Sequence, residues 1–486
     1  LSREVSGVAN RKRKVIWIAG GVILAVIVLI LLALLFGAKV IKSRIEATAS
    51  KTLGMDVRGA GRVKVSFFPI FGASLADVTV KNSGAEVATV ANVIMRLRLL
   101  PFSGRRIQVS RLELVKPAVS IVRQKSGKLN IESQGDGPSA HPVTVKKFTI
   151  SQGSLVYLDL VSGGRIELEG IDLTAGNFSS GGTPGGDPLK TLSFADEILC
   201  RTIKAGNRTL TDLEMKVAGK NGVYDVSYAR ARVFGGTADG TFHADFTGEE
   251  PQFKIIFAVS RLKIGELLKE SPNSKDLEGL ADLSVDLTAK GKTVAEVTRS
   301  LSGQVSLSGE NIELNSMDLD SLILSLRRSR NLNLVDVGAF FLAGPLGPVL
   351  TRGYRFADLY RESQGGKGII AKLVSVWKVG SGVAEAVDVA LATKILRIAM
   401  KGGVNFIDNR FEDAIIAVLD EGGCAIITQK IRGPFRSPEI GNINILRSLA
   451  SPVTSLVKSV LKLFGSGPCD VFYSGSVAPP EPDKVP

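Results

Sequence analysis

The stretch Leu277–Leu314 reads LEGLADLSVDLTAKGKTVAEVTRSLSGQVSLSGENIEL, and its alternation decides the fold class. Leu283, Val285 and Leu287 alternate with Asp282, Ser284 and Asp286, and Val305 and Leu307 resume the habit after Gly303. Period two gives an extended strand one apolar and one polar face. The Gly291-Lys292-Thr293 triplet invites comparison with a phosphate-binding loop. That loop requires a glycine five positions before Gly291, where Asp286 stands in an alternating strand, so the motif is rejected.

The same alternation recurs outward in both directions. Val63, Val65 and Phe67 form one set, and Phe242, Ala244 and Phe246 alternate with Thr241, His243 and Asp245. Turn signals such as Gly-Gly, Ser-Gly and Asn-Gly punctuate the chain at the cadence of a long antiparallel meander. A single alternating layer cannot leave its apolar face in water. It packs on a second sheet, meets helices, or curls around that face and leaves a groove. Alternation nominates the inward residues as Val63, Val65, Phe67, Ile107, Val109, Phe148, Ile150, Phe242, Phe246, Leu283, Val285 and Leu287. The same twelve positions fit a closed, dry sandwich core equally well, and a slip of one residue inverts the face.

Val15–Ala38 carries no charge over 24 residues, long enough to cross a hydrocarbon core of about 30 Å. A signal-peptide apolar region is shorter, about 7–15 residues, so an uncleaved span is expected, held by Trp17, Ile23, Ile27, Leu31 and Leu35. The cluster Arg11, Lys12, Arg13 and Lys14 predicts a cytoplasmic N-terminus, which puts the body on the far side of an inner membrane, in a periplasm. The net charge of +14 then faces anionic headgroups, and nucleic acid is not an expected partner.

Composition excludes much else. Two histidines, His141 and His243, cannot build a His-rich metal centre, and three cysteines cannot make a four-thiolate site. No G-x-S-x-G elbow is present, so no cofactor, metal or catalytic residue is assigned and no enzyme is expected. Cys424 and Cys469 are candidates for a disulfide in an oxidising compartment, with Cys200 a buried thiol; three unpaired buried cysteines are the alternative.

The expected organisation is a basic N-terminus (1–14), the span (15–38), a β-region (39–175) and a Gly/Pro-rich linker or loop (176–188). A middle β-region (189–314), a C-terminal β-region with amphipathic helices (315–474) and a disordered Pro-rich tail (475–486) follow. Helical spacing marks 315–330 and 451–464.

Several segments resemble the AsmA-like family of bacterial envelope proteins, related to TamB-like and chorein-type bridge-like lipid transfer proteins. They are IKSRIEATASKTLGMDV (Ile41–Val57), KVSFFPIFGASLADVTV (Lys64–Val80) and RRIQVSRLELVKPAVSIVRQKSGKLNIE (Arg105–Glu132) with its G-x-x-N unit. KKFTISQGSLVYLD (Lys146–Asp159), ARARVFGGTADGTFHADF (Ala229–Phe246) and the opening stretch Leu277–Leu314 continue the series. The resemblance implies a mainly β fold: one N-terminal transmembrane helix, then a long, curled, taco-like antiparallel sheet with an apolar groove and a few short helices. It implies phospholipid acyl chains as the cargo and lipid transport or outer-membrane homeostasis as the role. A scaffold for outer-membrane protein biogenesis, pairing through exposed strand edges with other envelope proteins, is the competing expectation.

Overall fold

Alternation becomes strand wherever the chain is described. The computed structural model describes residues 42–50, 53–66, 72–98, 108–131, 143–180, 190, 192–267, 277–315, 318–321, 334, 366–435, 437–445 and 470–480. These form two compact units that divide between Gly206 and Asn207. The span 15–38 with its anchor residues, the Arg11–Lys14 cluster, Phe67, Ile107 and the helix expected at 451–464 lie outside the described residues. Among the described residues no helix is long and apolar enough to cross a membrane.

The first unit holds β1 (Asp56–Gly59), β2 (Val63–Ser66), β3 (Gly72–Asn82), β4 (Ala85–Arg98), β5 (Gln108–Arg123), β6 (Val143–Asp159), β7 (Arg165–Ser180) and β8 (Leu192–Ala205). Strands β1 and β2 both pair with β3, and the ladder then runs through β4, β5, β6, β7 and β8 in chain order. One pairing corrects the all-antiparallel expectation: β5 and β6 are parallel, with Val109 beside Val145 and Leu112 beside Phe148. The G-x-x-N unit explains how the chain leaves β5. Gly127 takes φ +85° in the turn, and Asn130 closes it: Val122 N donates to Asn130 Oδ1 at 2.8 Å, and Asn130 Nδ2 donates to Ser120 O at 2.9 Å. The amide side chain thus occupies the strand end, and the connection to Val143 is long enough to return the chain in parallel.

The second unit holds β9 (Arg208–Lys220), β10 (Val223–Val233), β11 (Gly236–Asp245), β12 (Gln252–Lys263), β13 (Leu277–Lys290), β14 (Ser302–Leu314), β15 (Gly368–Gly380), β16 (Val383–Ala392), β17 (Arg397–Asn405), β18 (Arg410–Leu419) and β19 (Ala425–Pro434). Each pairs antiparallel with the next. Short strands β20 (Glu439–Ile440) and β21 (Asn444–Ile445) finish on β19. Two short helices interrupt the meander, α1 (Ile264–Leu267) and α2 (Val294–Ser300). The Gly-Lys-Thr triplet is the entry to α2: Thr293 is its N-cap, accepting from Glu296 N, while the Glu296 carboxylate accepts from Lys292 N at 2.7 Å. Gly303, at φ +140°, lies so close to β13 that a Cβ there would overlap Asp286 O.

Bulges bend both ladders. Lys116, Gln152, Arg261 and Asn311 take positive φ inside strands, and an aspartate on the neighbouring strand serves two of the freed amides. Gln152 N donates to Asp172 Oδ1 at 2.9 Å, and Arg261 N donates to Asp282 Oδ1 at 2.8 Å. Each such bulge raises the local twist and curls the sheet toward one face.

The core of the second unit sits on the inward face of β12–β19, where Leu307, Ile312, Ile370, Trp377, Leu391, Ile398 and Ile416 are fully buried. The outward face of β15–β18 carries a separate cluster of Val374, Ala390, Ala399, Ala417 and Leu419, closed by Tyr473 and Val477. That corrects the reading of 475–486 as a disordered tail for its described part, 475–480. Val477 is fully buried, its N–H donates to the Tyr473 hydroxyl at 3.1 Å, and Asp388 accepts from both Tyr473 Oη and Ser476 N. Arg397 is buried beneath the same segment and donates to Val477 O, Asp420 O and Glu421 O at 3.2, 2.9 and 3.1 Å. Cys424 is disulfide-bonded and Cys200 is a free, buried thiol; Cys469 lies outside the described residues. The stretch 176–188 is strand as far as Ser180, and its remainder up to Pro188 lies outside the described residues.

Candidate functional site: an apolar face on each unit

Directly paired residues on neighbouring strands share a face, so register converts the twelve nominated residues into rows. In the first unit one row runs Val63, Leu75, Val93, Leu114, Ile150, Leu173, Ile198 across seven strands. Beside it runs Val65, Ala73, Met95, Leu112, Phe148, Ala175, Asp196. Val63, Val65, Phe148 and Ile150 therefore fall on one face. Val109 sits beyond the register shift at Arg96/Leu97, paired with Leu97 and Val145. Leu75 and Ala175 are buried, while Val93, Met95, Leu112, Leu114, Phe148, Ile150, Leu173 and Ile198 are only half-buried.

In the second unit three rows cross the sheet. The first is Val226, Phe242, Ile255, Leu287, Gly303, Val379. The second is Ala229, Gly240, Phe257, Val285, Val305, Trp377, and the third is Ala231, Ala238, Val259, Leu283, Leu307, Ser375. Phe246 extends the same face past the end of β11, meeting Tyr224 and Phe253 edge-on at 5.7 and 5.8 Å between ring centroids. Charges are confined to the other face. His243 Nδ1 lies 2.6 Å from Asp225 Oδ1, Arg230 pairs with Asp239 at 2.7 Å, and Asp286 stands between Ile256 and Gln304.

Exposure divides the apolar face of the second unit. Phe242 and Ile255, side by side on β11 and β12, are 36% and 37% exposed. On the next strand, β13, Leu283 and Val285 are buried, and from Val305 to Trp377 the face is dry. Leu283 and Val285 thus belong to the closed core rather than to an open groove, a correction to their nomination. Alternation is identical on a covered and an uncovered strand, which is why sequence reading grouped them.

Sequence reading missed Ile255, Phe257, Tyr224, Leu112, Leu114 and Leu173. Leu112 and Leu114 alternate with Arg111 and Glu113 and carried a usable signal. The run Ile255-Ile256-Phe257 does not alternate, and only pairing with Phe242 and Leu287 assigns Ile255 inward.

One polar group interrupts the face of the first unit. Asp196 ends the second row at β8; its Oδ1 accepts from Glu197 N at 2.6 Å, and its buried Oδ2 has no hydrogen-bond partner. Burial pushes this carboxyl up to about 6. Cys200, two rows away opposite Ile171, is also raised by burial and donates to Thr202 O and Glu169 O at 3.5 and 3.6 Å.

The AsmA family model matches residues 9–154 and 197–337, more than half of the 486 residues. The chain belongs to the AsmA family. No curated protein and no solved structure matches it. Membership associates this AsmA protein with lipid transport or assembly in the cell envelope. The matched residues include β1 to β5, most of β6, the latter part of β8 and β9 to β14, so they cover the first unit's rows from Val63 to Ile150 and the exposed Phe242–Ile255 pair of the second.

Proposed function

We propose that this AsmA-family protein binds phospholipid by its acyl chains along the apolar faces of its sheets, leaving headgroups in water, and serves lipid transport or homeostasis between envelope membranes. The observation that carries the reading is an apolar face that is continuous across consecutive strands yet incompletely covered, with Phe242 and Ile255 more than a third exposed side by side. A sixteen-carbon chain at about 0.8 kcal/mol per buried methylene gains on the order of 10 kcal/mol by leaving water, so no catalytic group is required. The body is proposed to stand in the periplasm behind the 15–38 anchor, where the chain's net charge of +14 favours anionic headgroups.

The competing scaffold role calls for open strand edges. From β10 to β18 both edges of every strand are occupied by a neighbour, so client strands find no backbone to pair with there. Along β10–β18 the mode left open is therefore side-chain capture of an apolar ligand, and strand addition is confined to the terminal strands.

The test is native mass spectrometry of the full chain purified from membranes, as wild type and as Phe242→Asp/Ile255→Asp. Phospholipid bound to the wild type and absent from a folded double variant is expected. Lipid-free wild type, or equal lipid in both, rejects the reading.

A further inference from the structure

The exposure of the apolar face ends abruptly, and the chain itself supplies what covers it. Leu319 and Leu334, from the connection between β14 and β15, are almost fully buried in the core cluster that lines the inward face of β12–β19. Polar contacts at both ends fix them there. Asp318 accepts from Asp320 N, Ser321 N and Ser321 Oγ, which caps the turn carrying Leu319. Thr393 Oγ1, just past β16, donates to the Asp320 carboxylate. Leu334 N donates to Gln429 Oε1 at 2.6 Å, and Gln429 lies beside Ile416 on the inward face. Gln429 is itself buried and also donates to Gly441 O at 2.9 Å.

We propose that the acyl-binding tract of the second unit is blind-ended: lipid lies along the incompletely covered row Val226, Phe242, Ile255 and Leu287 of β10–β13, and Leu319 with Leu334 plug the face of β14–β19 against it. The proposal rests on the acyl-binding reading above and adds where the ligand stops. Acyl chains are the occupant the open part selects. Tyr224, Val226, Phe242, Ile255, Phe257 and Leu287 present no charge, and the strand edges around them are already paired. Beyond β13 the face has no room. Trp377 is fully buried, and its indole N–H is spent on Ser375 Oγ at 2.7 Å, so nothing polar there awaits a headgroup. A chain in this tract enters and leaves toward β10 and does not pass through to β19. Within this unit the protein holds lipid and hands it back rather than threading it end to end.

The chain offers its own probe, because Trp17 and Trp377 are its only two tryptophans. Trp17→Phe leaves Trp377 as the sole indole of the full-length protein, and adding Phe242→Trp places a second in the open part. The probe is a phospholipid brominated along its acyl chains, which quenches indoles it touches. The expected result is unchanged Trp377 emission, strong quenching of the indole introduced by Phe242→Trp, and new quenching of Trp377 when Leu319→Ala/Leu334→Ala removes the plug. Quenching of Trp377 with the plug intact overturns the blind end while leaving acyl binding standing. Persistent protection of Trp377 in a folded Leu319→Ala/Leu334→Ala protein overturns the plug. Quenching of neither indole overturns acyl binding and the blind end with it.

Discussion

Replacing Phe242 and Ile255 together by threonine removes apolar surface that the fold itself leaves open, so it weakens ligand binding more than stability. A phenylalanine side chain offers about 200 Å². With 36% of Phe242 and 37% of Ile255 exposed, roughly 130 Å² of the pair remains for a ligand to cover at about 25 cal/mol per Å². Allowing for the methyl that each threonine keeps, the loss is about 2–3 kcal/mol, or roughly 30- to 150-fold in affinity. Threonine is β-branched and suits a strand, and both positions keep their ladder hydrogen bonds, so the sheet is preserved. The assay is titration of a fluorescent fatty-acyl probe into full-length protein held in amphipol, with circular dichroism to verify the fold. Affinity within twofold of wild type in a folded variant refutes the assignment of the acyl chain to this face.

Three further outcomes follow from the same geometry. Leu283→Asp, in contrast to the threonine pair, buries an unpaired carboxylate in the core; it costs more than about 4 kcal/mol, and thermal unfolding of the second unit loses cooperativity. Asp196→Asn stabilises the first unit at neutral pH. Burial raises the folded carboxyl to about 6, above the ordinary aspartate range, so the folded state binds the proton more tightly and stability falls as pH rises through that window. After discounting for solvent screening, the gain is about 1–2 kcal/mol at pH 7.5 and vanishes near pH 3.5, read as the difference in Tm between variant and wild type. Arg397→Met breaks three hydrogen bonds, one to Val477 O in the 470–480 segment and two to Asp420 O and Glu421 O in the turn after β18, and destabilises by about 2–4 kcal/mol, with limited proteolysis cutting the 470–480 segment first.

Period-two alternation in Leu277–Leu314 was enough to place β13 and β14, and Asp286 was enough to reject the phosphate loop, whereas the helix that Thr293 caps carried no alternation to mark it. Alternation put Val63 with Val65 and Phe148 with Ile150, because it survives any choice of partner, and register across β2 to β6 then put the two pairs on one face. The parallel pairing of β5 and β6 was not legible, since the order of strands in space depends on a connection whose only local mark is Asn130. Nor was the boundary between open groove and closed core. Leu283 and Phe242 have the same local pattern, and what separates them is that Leu283 joins a core cluster drawn from distant parts of the chain, Leu319 and Leu334 among them. The packing of Val477 was hidden for a similar reason: prolines signal a tail, while Asp388, more than eighty residues upstream, supplies the anchor.

Strand β12 contains a matched pair for the central claim. Ile255 points to the apolar face and is 37% exposed, and its neighbour Ile256 points to the charged face and is 39% exposed. A photoreactive benzophenone side chain placed at each position in turn, in full-length protein in its native membrane, reports which face meets lipid. Phospholipid adducts at position 255 and none at 256 are the predicted result. Equal labelling at the two positions, or labelling at 256 alone, would contradict acyl binding on the inward face.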